Sequence, residues 1–190
     1  MRNLSILLAA ILSTSCALQP FEVQKTPLLP NQAVVFDIDG TLTPGKYSIS
    51  TARDDAAAAV RSFADKGYKI IYLSARITFF QSGIPNWLKE NQFPEGSIHV
   101  PEPDKDSSFD PVPFKERILN IYKAKGWEFA AAYGDQSTDF KAYVDVGIPK
   151  AHVFALQRSG ETCDDGVYAK CLRSWAEHMD EIKQLTGYKN

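Results

Sequence analysis

Two aspartates with one residue between them, Asp37-Ile38-Asp39, end an apolar run and are followed by Gly40-Thr41-Leu42-Thr43. Side chains two apart on an extended chain point to the same side, so the pair can face one pocket. Carboxylates that close repel unless a proton or a cation sits between them. The pair therefore suits a hard divalent ion such as Mg²⁺, or a nucleophile beside a general acid/base. A calcium loop would need glutamate at its twelfth position, which counted from Asp37 is Ser48. An aspartate-rich surface turn is the plain alternative.

Three further groups could join that pair. Leu73-Ser74-Ala75-Arg76 closes another apolar run, and a hydroxyl with adjacent N–H groups at a strand's carboxyl end can hold phosphate oxygens; a simple turn is the competing reading. Lys115 opens a helical stretch, where a cation opposes the helix dipole unless an anion lies nearby. Gly134-Asp135-Gln136-Ser137-Thr138-Asp139 follows a fourth apolar run. Asp135 would complete a carboxylate cage with Asp37 and Asp39, and Asp139 would steady that cage from behind. Either one could instead cap a helix.

The elements that must position these residues alternate. Apolar runs at 33–36, 69–73, 97–100, 128–133 and 152–156 read as strands. Helical stretches read near 51–66 (Ser50 or Thr51 as cap, Gly67 as stop), 85–92, 113–124, 138–146 and 172–185. Strands alternating with helices predict an α/β fold, a Rossmann-like parallel sheet with helices on both faces. Ligands of such sheets bind beyond the strands' carboxyl ends, where all the candidate residues fall.

The 190 residues suffice for one domain, and 21 basic against 23 acidic residues exclude a general nucleic-acid binder. Residues 1–17 have the layout of a secretory signal: Arg2, the apolar run Leu4–Leu12, then small residues. Cleavage after Ala17 or lipoprotein-type processing before an acylated Cys16 both fit, the second giving a membrane tether. Either predicts export, to a bacterial periplasm or outer membrane or to the medium. Residues 18–32 read as a linker and 33–190 as the folded domain. Of three cysteines, Cys16 is either cut away or acylated, which leaves Cys163 and Cys171, eight positions apart, and a local disulfide is expected in an oxidising compartment.

Taken in order, the aspartate pair, strand-end serine, lysine and Gly-Asp-x-x-x-Asp resemble the haloacid dehalogenase superfamily of phosphohydrolases. The resemblance implies that Asp37 attacks phosphorus to form an aspartyl-phosphate, and that Asp39 protonates the leaving group and then activates water. It implies Ser74, Ala75 and Lys115 as phosphate-holding residues and Asp37, Asp39 and Asp135 as Mg²⁺ ligands, with Gly40, Thr41, Arg76 and Asp139 in support. A closer resemblance covers about residues 33–161: Asp37-Ile-Asp-Gly-Thr, Tyr72-Leu-Ser-Ala-Arg76, Phe114-Lys115, Asp139-Phe-Lys-Ala-Tyr143, Val146-Gly-Ile-Pro149, Val153-Phe154 and Gly160-Glu161 look like the catalytic domain of lipin-type phosphatidate phosphatases. Some relatives there lack a catalytic aspartate and are thought only to bind phosphatidate; this chain keeps both. It departs at Gly134-Asp135-Gln136, where the lipin pattern has Gly-Asn-Arg, and in carrying an export signal in place of the lipins' N-terminal domain.

About 35 residues separate Asp39 from Ser74, and about 40 separate Ser74 from Lys115, too few for a large cap domain. An open site suits a substrate presented at a surface, such as a lipid headgroup. Ile77, Phe79, Phe80 and Trp87 follow the phosphate-binding segment; most are expected in the core, the alternative being contact with acyl chains or bilayer. The resulting expectation is an exported, Mg²⁺-dependent phosphomonoester phosphatase with phosphatidate as leading substrate. Its rivals are a phosphatase of soluble sugar phosphates or nucleotides, a phosphatidate-binding module without turnover, and a phosphotransferase.

Overall fold

The computed structural model describes residues 31–106 and 110–185. Its first strand, β1 (Gln32–Asp37), sends Val34 and Phe36 into one apolar layer and Ala33 and Val35 into another. A strand buried on both faces must be covered twice, which is why this run is apolar without alternation. The export signal at 1–17, Cys16 and the linker as far as residue 30 lie outside the described residues; Gln32, read as linker, already belongs to β1.

After β1 come α1 (Ala56–Asp65), β2 (Lys69–Leu73), α2 (Thr78–Gln81), α3 (Ile84–Glu90), β3 (Ser97–His99), α4 (Pro111–Ala124), β4 (Glu128–Gly134) and α5 (Ser137–Asp145). β5 (Val153–Leu156), β6 (Lys170–Leu172) and α6 (Met179–Gln184) follow among the described residues. The six strands run in the order β3-β2-β1-β4-β5-β6, every adjacent pair parallel. One layer holds Phe63 of α1, Trp87 of α3 and Ile182 of α6; the other holds Phe114 of α4 and Tyr143 of α5. The expected α/β sheet covered on both faces is therefore present. Chain order reverses between β1 and β4, and the crevice beyond their carboxyl ends is the switch point where such sheets take ligands.

Three expectations are corrected. The first helix starts at Ala56 rather than after Ser50 or Thr51, because the Arg53 guanidinium donates to the carbonyls of Gly40, Thr43 and Gln157. That pulls residues 51–53 onto the loop after β1. Gly67 does end the helix, at φ 88° with its N–H on the Ala64 carbonyl. The long last helix is instead β6, a 3₁₀ turn at Trp175–His178 and a short α6. There Trp175 is wholly buried and donates its indole N–H to the Thr41 carbonyl. Finally, of Ile77, Phe79, Phe80 and Trp87 only Trp87 is core; the other three are exposed. No helix among the described residues is long and apolar enough to cross a membrane.

Candidate active site

β1 ends on Asp37, which is buried at the switch point. The chain then turns at once, with the N–H groups of Leu42 and Thr43 both on the Ile38 carbonyl. Thr43 Oγ1 accepts from the Gly40 N–H at 2.8 Å, and Thr41 Oγ1 donates to Asp37 Oδ2 at 3.2 Å. Gly40 is required here: its φ is +92°, and a Cβ would lie 2.0 Å from Asp135 Oδ2. The Asp-Gly-Thr sequence thus shapes a turn tight enough for Asp135, at the end of β4, to approach Asp37.

Lys115, in the first turns of α4, is buried and donates to Asp37 Oδ1 at 2.6 Å and to Asp139 Oδ1. Asp139 in turn accepts from the Asp135 and Gln136 N–H groups, each at 3.1 Å, which caps α5. One carboxylate so closes a helix end and pairs the lysine together. Burial alone would lower the Lys115 ammonium; Asp139 and Asp37 override it and hold the group charged well above its ordinary range. Burial pushes the Asp37 carboxyl well up; Lys115 opposes this, while Asp139, Asp135 and Asp39 add to it. Asp135 is raised to about 7, by burial and then by Asp139, against Lys115 and Arg158.

One oxygen from each of Asp37, Asp135 and Asp139 lies within 4.8 Å of the others. Both Asp135 oxygens are buried without a hydrogen-bond partner. Arg158 Nε stands 3.2 Å from Asp135 Oδ2, but that guanidinium is shared with Glu161 and Asp164. Three buried carboxylates against one ammonium and one shared guanidinium leave negative charge uncompensated, and hard oxygen donors around such a deficit fit a divalent metal ion.

The cage differs from the expected one in one member. Asp39 does not join it: its carboxylate accepts from Arg76 Nε at 2.7 and 3.0 Å and from Ser74 Oγ at 2.9 Å. Asp37 and Asp39 do line one cavity, as their spacing allows, but the turn after Asp37 carries the Asp39 carboxylate onto Ser74 and Arg76 and away from the cage. Asp139, placed behind the cage by the sequence, stands in it. Ser74, expected to hold phosphate, has its N–H on the His99 carbonyl and its hydroxyl on Asp39. A cavity of about 480 Å³ opens in front of these residues, lined by Asp37, Asp39, Ala75, Arg76, Lys115 and Asp139 among others.

Three supporting residues were not singled out from the sequence. Arg53 and Trp175 hold the loop after β1 through its carbonyls, and Arg158 faces Asp135 from beyond β5. Only Arg158 carried a signal, lying two residues past a strand's carboxyl end. The loop bearing it is tied by the expected disulfide between Cys163 and Cys171, with Cα atoms 6.1 Å apart. Asp164, beside Cys163, accepts from the Ser137 N–H at 3.2 Å.

Comparison with known proteins gives a family match, relatives and a likeness of fold. The profile of the PITM 1-3 LNS2 domain matches residues 34–157. The fruit-fly (Drosophila melanogaster) protein retinal degeneration B is 32% identical over 82% of this chain and 12% of its own length. Human membrane-associated phosphatidylinositol transfer protein 3 is 28% identical over 67% of this chain and 13% of its length. Human phosphatidate phosphatase LPIN3 is 27% identical over 82% and 21% respectively. The chain thus spans a fifth or less of the length of two of these relatives and about a fifth of the third. Among solved structures, the 3-deoxy-D-manno-octulosonate 8-phosphate phosphatase of Moraxella catarrhalis, in complex with magnesium, phosphate and KDO, superposes with a TM-score of 0.52. It is 15% identical over 82% of this chain and 86% of its own. At such identity the likeness is one of fold, which this chain shares with phosphatases of known structure.

Proposed function

The chain belongs to the LNS2 domain family, and on that premise we propose that it is a Mg²⁺-dependent phosphatase of phosphate monoesters, with phosphatidate as its leading substrate. The observation that carries this reading is the buried Asp37, oriented by Thr41 and Lys115 and facing one cavity with Asp39. Similarity to phosphatidate phosphatases supports the lipid substrate.

In this reading Asp39, once freed from Arg76, takes a proton from solvent; an Asp37 oxygen then attacks phosphorus as the ester P–O bond breaks, and Asp39 passes that proton to the leaving oxygen. A water then yields a proton to Asp39 and its oxygen to phosphorus, breaking the aspartyl–phosphate bond and releasing inorganic phosphate. Lys115 and Thr41 hold the nucleophile in line, which removes most of the orientational cost. Arg76 releases Asp39 by exchanging it for a substrate phosphate oxygen, so that binding itself frees the acid/base. Asp37, Asp135 and Asp139 would hold the metal ion, whose charge supplies electrostatic stabilisation of the phosphoryl oxygens.

Phosphate release from phosphatidate in mixed micelles and from small phosphate esters, with and without chelator, tests the reading. Turnover of phosphatidate that chelator stops and Asp37→Asn abolishes is expected. Turnover of soluble esters alone would replace the lipid assignment. Phosphatidate binding without phosphate release would establish the second reading, a binding module, which similarity to phosphatidylinositol transfer proteins favours. Export is part of the proposal, supported by the Cys163–Cys171 bridge. Mass analysis of the mature protein checks it, with an N-terminus after Ala17 or at an acylated Cys16 expected and an intact Met1 refuting it.

A further inference from the structure

Nine large apolar residues are exposed among the described residues, and five of them come from two short segments, 47–49 and 77–80. Phe79 is 79% exposed, Tyr47 87% and Ile77 51%. Phe79 and Phe80 form α2 with Thr78 and Gln81, a single turn without a side-chain cap. It is held by Gln81, whose buried amide donates to the carbonyls of Arg76 and Pro101 at 2.8 and 3.2 Å. The turn is thus anchored by a polar residue while its two phenylalanines stand outward, meeting each other edge to face at 5.0 Å. Leaving a phenylalanine in water forgoes about 1.5–3 kcal/mol of burial, so two adjacent ones mark a surface that meets something apolar.

The place of the ridge says what that is. Tyr47, Ile49, Ile77 and Phe80 line the same cavity as Asp37 and Asp39, so the apolar rim surrounds the mouth of the site. Lys46, exposed beside Tyr47 with Nζ 5.9 Å from its ring centroid, adds a positive charge at that mouth. Aromatic and aliphatic side chains with a cation among them match the boundary between anionic headgroups and acyl chains.

We propose that the rim formed by 47–49 and 77–80 docks onto the surface of an anionic bilayer, with Phe79 and Phe80 inserted, so that the cavity opens directly onto lipid headgroups. The proposal rests on the reading of the cavity as a phosphate-monoester site and names how its substrate is presented.

Phe79→Trp in the full chain reads insertion at that position alone, because the native Trp87, Trp127 and Trp175 are all buried. With vesicles of phosphatidylcholine and phosphatidylserine, in chelator, its emission should shift to the blue and be quenched by brominated acyl chains. Phe79→Asp should cut the rate on vesicle-borne phosphatidate about tenfold or more while leaving the rate on a soluble phosphate ester unchanged. Emission from the Phe79→Trp variant that stays unshifted and unquenched on bound protein would overturn docking through this rim, as would Phe79→Asp matching wild type on vesicles. A wild-type dimer that Phe79→Asp converts to monomer, with no quenching by lipid, would overturn it in favour of a second copy of the chain. Insertion without phosphate release from any ester would uphold the docking surface and sink the phosphatase reading instead.

Discussion

Lys115→Met isolates the charge balance of the site. Methionine keeps most of the lysine's apolar stem, so the volume change is small and the loss is chiefly the ammonium. Lys115, Asp37 and Asp139 have side chains exposed by only 3%, 5% and 1%, and removing one partner from a buried ionic cluster typically costs about 3–5 kcal/mol. With a urea m-value of about 3 kcal/mol/M, at the upper end of the usual span, the unfolding midpoint in chelator should fall by roughly 1 M or more. The deficit should shrink as the pH is lowered, because the carboxylates then take up the protons that the lysine no longer supplies. It should shrink also with Mg²⁺, since a divalent ion replaces the missing charge. Lys115→Met/Asp139→Asn should recover part of the loss, a non-additivity expected of residues in one cluster. A single variant that loses less than about 1 kcal/mol, with no dependence on pH or metal, would refute the picture of one ammonium holding two buried carboxylates.

Asp135→Asn should leave stability in chelator unchanged or raised, because a buried carboxylate that no hydrogen bond satisfies, and that only the shared Arg158 guanidinium faces, disappears. It should also erase most of the rise in Tm that Mg²⁺ gives the wild type, and an unchanged Mg²⁺ shift would remove Asp135 from the ligand set. His99 is buried and hydrogen-bonds Tyr122 Oη at 2.9 Å; burial first, then Lys69 and Arg117, lower its pKa to about 4. Between that value and the ordinary 6.5 the unfolded chain binds a proton the folded one refuses, so its contribution, on the order of 3 kcal/mol, is full above that window and lost as pH falls through it. His99→Gln should flatten the acid limb of stability against pH, and an identical limb would contradict the assignment. Opening the bridge with Cys163→Ser/Cys171→Ser frees an eight-residue separation, worth about 2.5 kcal/mol of loop entropy. Denaturation midpoints equal with and without reductant would show that the bridge constrains nothing.

Much of this protein is readable from spacing alone. Apolar runs separated by helical stretches require a parallel sheet, a parallel sheet puts every strand's carboxyl end on one side, and Asp37, Ser74 and Asp135 each end or follow such a strand. Their convergence needs no knowledge of side-chain contacts, and neither does the pairing of Cys163 with Cys171, which rests on short separation. The division of labour among the acids does need it. Asp39 leaves the cage because Arg76, 37 positions on, offers it an ion pair in which one N–H is shared between both carboxylate oxygens. Asp139 enters because Lys115 crosses from another helix. Trp175 shapes the loop after β1 from 134 residues away, and Arg53 reaches Gln157 across 104. The exposure of Phe79 and Phe80 was equally hidden, since an apolar pair after a strand reads as core until a buried Gln81 is seen anchoring the turn beneath it. Periodicity is a local property and survives in the sequence. Which of several acids meets the lysine depends on distances between elements, which exist only once the sheet has brought them together.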